Sequence, residues 1–273
     1  MSLSKPVSIM SLSNEIIIEI IIEIIARAKF SPEGLQNLRD VHKRFDAIIT
    51  EYEKSIAKDI LNQRQFQDAK NDFPGLQTDR SMNYRMLSEF TRRYDTIYTI
   101  THELLKECDY GSTLMLHNIS LVEVGLMLLY RMHDLDTYLP RVHLLTALPL
   151  QPLVAIRLVL YHCTYAARRV GESLISRNYY HHDAATRSDI ELCFAELILT
   201  KGPEFILNIL RYNLSTGERP LISYLNASLA EKMLCEQRYA LMEILHMVKE
   251  PKHRLADLEF GDRAKLVRGH SLD

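Results

Sequence analysis

Residues 14 to 25 read Asn-Glu-Ile-Ile-Ile-Glu-Ile-Ile-Ile-Glu-Ile-Ile, with Glu15, Glu19 and Glu23 four apart among eight isoleucines. Polar and apolar residues do not alternate, so this is not a half-buried strand. A period of four fits a helix, where residues i and i+4 share a face. At about 100° per residue the glutamates occupy an arc of roughly 80°, and the isoleucines cover roughly 240° of the remainder. A surface helix needs an apolar stripe only somewhat wider than about 100°. The pattern therefore predicts a helix from about Leu12 to Ala28 with more hydrocarbon than one face can hide. Something has to cover it from two sides.

The same periodicity organises most of the chain. Ser31-Pro32-Glu33 starts a second helix: serine can cap, proline suits the first helical position, and an early acid complements the dipole. Its apolar positions Leu35, Leu38, Val41, Phe45 and Ile48 or Ile49 form one stripe, and a third helical stretch follows from about Thr50 to Gln67. Pro74-Gly75 is the strongest breaker and marks the expected domain boundary. Beyond it, residues 81 to 107 are periodic in Met82, Met86, Phe90, Ile97, Ile100 and Leu104. Ser120 to Glu123 reads as a capping box opening a helix that runs to about His133, and Ser188 to Glu191 as a second box for a helix that stops at Gly202-Pro203. Pro152 opens a helix toward Gly171 or Ser176. A short one spans Glu204 to Tyr212, and a long one containing Ser228 to Glu231 ends before Pro251. No stretch alternates well enough for a strand and no fixed repeat is present, so the expected fold class is all-α.

Composition narrows the function classes. With 273 residues, 47% apolar and 25% charged, the chain has the balance of a soluble globular protein with room for a real core. A formal net charge of -2 gives no general attraction to nucleic acid or anionic lipid, and neither is expected as a partner. Cys108, Cys163, Cys193 and Cys235 form no C-x-x-C pair and read as reduced thiols. Glutamates interrupt the isoleucine run, which excludes a signal-peptide core, so the sequons at Asn118, Asn213 and Asn226 are expected to carry no glycan. The apolar stretch 142 to 163 contains Pro149, Pro152 and Arg157, which favours a buried helix over a membrane span. A cytoplasmic or nuclear location is expected, not a secreted one.

Residues 12 to 49 together resemble an F-box. The family pattern is Leu-Pro-x-Glu-Ile with following apolar residues, a short proline-bearing link, a Leu-x-x-Leu helix and a Val-x-Lys/Arg-x-Phe/Trp ending. The matching positions are Leu12, Glu15 and Ile16, then Pro32, Leu35 and Leu38, then Val41, Lys43 or Arg44, and Phe45. Ser13 stands where the family usually has proline, the link Ala-Arg-Ala-Lys-Phe is slightly long, and His42 replaces a small residue. The resemblance implies a three-helix module over about 9 to 62 that docks on a Skp-type adaptor and, through it, on a cullin–RING ubiquitin ligase. It further implies a linker at 63 to 79, an irregular multi-helix domain at 80 to 255 that recognises a target for ubiquitin-dependent degradation, and a tail at 256 to 273. The adaptor-binding residues would be Leu12, Ile16, Ile20 and Leu35, while Leu38, Val41 and Phe45 would hold the module's own core. Such a receptor is not an enzyme and needs no cofactor or metal. Burying an isoleucine contributes about 1.5–3 kcal/mol, so half of the eight against a partner would recover on the order of 8 kcal/mol before entropic costs.

Two other readings use the same residues differently. A helical scaffold could turn the isoleucine ridge toward another helix or a second copy. His133-Asp134 and His182-Asp183 each put an imidazole beside a carboxylate, and His102, His133, Asp134 and Asp189 can be put in the ligand order of the HD metal phosphohydrolases, though two-letter motifs arise easily among eleven histidines. His102 to Lys106 lacks the second histidine of a zinc-protease helix. Tyr179-Tyr180-His181-His182 reads as an amphipathic loop, and Arg92-Arg93 and Arg168-Arg169 as solvated helix faces. No Gly-rich phosphate loop, nucleophile elbow or Cys/His nucleophile spacing is present.

Overall fold

A computed structural model describes residues 11–76, 82–107, 118–135, 137–170, 194–195 and 197–211. All the regular structure among them is helical, as the sequence predicts. The chain divides into two compact units, Met1–Tyr94 and Asp95–Asp273.

In the first unit, α1 (Asn14–Ala28) buries Ile17, Ile21 and Ile25 against α3 (Lys43–Glu51) and α4 (Glu53–Leu61). It stops at Lys29, whose φ of 63° and ψ of 144° are outside the usual range of a non-glycine residue. Such a conformation costs on the order of 1–3 kcal/mol. It turns the chain so that Phe30, 4% exposed, meets Phe66 edge-on at 6.1 Å. Helix α2 (Pro32–Val41) starts as expected, with the Gly34 N–H donating to Ser31 Oγ at 2.9 Å.

The second helix then departs from expectation. Instead of running on through Phe45, it ends at Val41, and extended His42 (φ −165°) separates α2 from α3. His42 Nδ1 accepts from the Arg44 N–H at 3.0 Å, so the residue that departs from the F-box pattern supplies the cap of α3. The break shifts the helical phase. Phe45, Ile48 and Ile49 are buried, whereas Val41 is 64% exposed. Val41 is thus not a core residue as the F-box resemblance implied.

Residues 63 to 76 do not form a linker. They make a short 3-10 turn (Arg64–Phe66), α5 (Ala69–Asp72) and a second 3-10 turn (Pro74–Leu76). Phe66, Ala69 and Phe73 are buried. Pro74-Gly75 breaks the helix but not the core, because aromatic rings on either side of it meet: Phe73 lies 6.1 Å from Phe90 of α6 (Tyr84–Glu107). Tyr94 donates to buried Asp72 at 2.7 Å. Arg93, expected on a solvated face, is 5% exposed, pairs with Glu89 at 2.9 Å and lies over the Phe73 ring. Burial would raise the Glu89 pKa, but hydrogen bonds and charge from Arg92 and Arg93 together hold it below the usual range.

The second unit is built around α7 (Ile119–His133), which is buried on all sides from Leu121 to Met132 apart from half-buried Glu123 and Arg131. The helix begins one residue before Ser120, with Asn118 at its cap position, so the expected capping box does not set its start. Asn118 itself is 4% exposed. Helices α8 (Tyr138–Ala147) and α9 (Leu150–Val170) meet at a bend of 119° near Pro149. Among the described residues no single helix is long and apolar enough to cross a membrane. Gly202, at φ 77°, ends the preceding helical residues, and α10 (Pro203–Arg211) follows, tied to α7 by Tyr130 donating to Glu204 at 2.6 Å. Cys163 is a buried thiol outside any disulfide. Residues 1–10, Cys108, Cys193, Cys235, Asn213, Asn226, the box at 188–191, the helix around 228–231 and the tail lie outside the described residues.

His162 on α9 is 2% exposed, and its Nε2 has no hydrogen-bond partner among the described residues. Burial lowers its pKa from the ordinary 6.5. The unfolded chain therefore binds a proton that the folded one resists, and stability should fall as pH drops below about 6.5, by up to about 1.4 kcal/mol per pH unit. Thermal melts at pH 7.5 and 5.5 should show a larger drop for the wild type than for His162→Leu. Equal drops would show that His162 does not carry the effect.

Candidate docking face

The eight isoleucines of α1 fall into three groups. Ile17, Ile21 and Ile25 are at most 4% exposed, Ile18, Ile20 and Ile22 are half-buried, and Ile16 and Ile24 are 44% and 41% exposed. The three buried residues span roughly 80° of the circumference, and the row Ile16–Ile20–Ile24 spans another 80° beside it. The helix therefore packs one apolar side on its own module and leaves an adjoining one open. Ile16, Ile20 and Ile24, with Glu19, Glu23 and Arg27, line an open groove of about 470 Å³.

Charge runs parallel to that row. Glu15, Glu19, Glu23 and Arg27 are four apart, each one residue before an isoleucine of the row or one turn beyond its end. Arg27 Nε contacts Glu23 at 2.7 Å, with both side chains largely in solvent. Such an exposed pair adds about 0.3–0.5 kcal/mol to the helix. The Glu15 carboxylate takes hydrogen bonds from its own backbone N–H and from the Ser13 hydroxyl, which hold its pKa below the usual range. Glu15 is therefore ionised at neutral pH.

The N-terminal end of the face is anchored from within. Arg44, one of the basic positions of the F-box resemblance, donates from Nη2 to the Leu12 carbonyl at 2.7 Å and to Asn14 Oδ1 at 2.9 Å. Leu12 is half-buried there. Ile16 and Ile20 stand on the open row. Leu35, expected at the adaptor, is instead 7% exposed inside the module, because α2 turns that side inward when it packs on α1 and α3. Leu38 is half-buried, Phe45 is 4% exposed, and Val41 faces solvent. Ile24 was not among the sequence-derived positions, although it continues Ile16 and Ile20 by a further step of four.

On the interior side, α6 closes the unit. The Tyr84 hydroxyl donates to the Ile49 carbonyl at 3.1 Å, and its backbone N–H donates to Glu53. Burial, with the Glu53 charge behind it, raises the Tyr84 pKa far above the usual phenol value despite Arg39 nearby. That hydroxyl is a fixed donor.

Among the described residues no three His, Cys, Asp or Glu side chains gather as a metal site would require. His133 packs beside Gly202, while His181, His182, Asp183, Asp189 and Tyr179-Tyr180 lie outside the described residues. Comparisons of the chain with protein-family models, with curated proteins and with solved structures find no match.

Proposed function

We propose that the chain is a non-catalytic F-box-type substrate receptor that docks on a Skp-type adaptor through α1 and thereby links a target protein to a cullin–RING ubiquitin ligase. The observation that carries this reading is the row Ile16–Ile20–Ile24, left open on a helix whose adjoining side is already packed. It is supported by the F-box pattern of residues 12 to 49 and by Arg44, which fixes the start of α1 where that pattern begins. The receptor's role is proximity: holding a target near the transferring enzyme raises its effective concentration. Recognition of the target falls to residues beyond the docking unit.

The energetics are smaller than a count of isoleucines suggests. Three are already buried, so covering Ile16, Ile20 and Ile24 contributes on the order of 4 kcal/mol before the costs of association. Stable docking therefore needs contacts besides α1, and the half-buried Leu12 and exposed Val41 are available for them.

A pull-down with a purified Skp-type adaptor tests the reading. The wild-type chain should be retained and the double variant Ile16→Glu with Ile20→Glu should not, because two carboxylates would have to be desolvated at the contact. Circular dichroism should be unchanged, since neither position is in the core. Equal capture of both proteins would refute the assignment.

A further inference from the structure

We draw no further inference here: the strongest candidate, the open apolar row Ile16–Ile20–Ile24 along α1, belongs to the docking face already described, and nothing in the structure shows what covers it.

Discussion

Expressed alone, residues 11–62 should give no cooperative thermal transition, whereas residues 11–94 should melt cooperatively in the same buffer. The shorter fragment holds the whole F-box-like stretch, yet its core is completed from outside. Phe30 would lose the ring of Phe66, the Ile49 carbonyl its Tyr84 hydroxyl, and Arg39 the Tyr84 ring it lies over at 5.7 Å. The Ile22 carbonyl would lose Gln63, which donates to it at 3.2 Å. Phe66, Phe73, Leu87 and Phe90, all buried, would be absent. Uncovering a large apolar side chain costs about 1.5–3 kcal/mol, and a whole domain is stable by only about 5–15 kcal/mol. A domain of about 50 residues starts near the bottom of that range. A clean, reversible melt of residues 11–62 would mean that the aromatic layer is an accessory and that these residues fold by themselves.

That dependence was the least legible part of the sequence. Pro74-Gly75 is a genuine breaker, and the two residues are exposed in a 3-10 turn. A breaker ends an element, however, and says nothing about whether the chain stays packed on either side. Phe66 and Phe73 are apolar at a spacing of seven, a signal of burial outweighed by the surrounding Gln, Asp, Asn and Lys. The boundaries of α1 were legible because eight isoleucines and three glutamates leave one helical phase open. The start of α2 was legible because Ser31-Pro32-Glu33 states a cap in residue types that have few other uses, and the cap forms.

The candidate site was legible in part, for a related reason. Ile16 and Ile20 follow from the F-box resemblance, and the helix keeps their spacing of four, so both stand on the open row. Leu35 and Val41 exchanged roles because the stripe from Leu35 to Ile49 keeps its spacing across His42 while the backbone does not. Histidine is a weak signal for a helix start, since its capping depends on which ring nitrogen faces the next turn. Which of the remaining isoleucines stay open could not follow from periodicity. It is set by where α3 and α4 approach, a matter of tertiary packing.

In the second unit, Gly125→Ala should lower stability by about 3 kcal/mol or more, and Gly125→Leu should prevent the unit from folding. Gly125 lies in the middle of α7, where replacing glycine by alanine would by propensity alone gain about 1 kcal/mol. Packing reverses the sign. A Cβ there would press on the Ala155 carbonyl oxygen and lie 2.6 Å from Val159 Cγ2 and 2.8 Å from the Ala155 carbonyl carbon, distances that real Cβ atoms do not tolerate. Ala155 and Val159 are fully buried, so the clash has no outlet to solvent. Relief would require α7 and α9 to move apart along their buried contact, and overpacking of this kind typically costs about 1–3 kcal/mol, more where backbone is struck. Because two of the three obstructing atoms are main chain, trimming the other side chain should not rescue the variant: Gly125→Ala with Val159→Ala should be at least as unstable as Gly125→Ala alone. Thermal melts give the magnitude, and amide exchange locates it, with protection falling in α7 and α9 and holding in α1, α3 and α4. A Gly125→Ala chain as stable as the wild type would mean that the two helices do not approach so closely in solution.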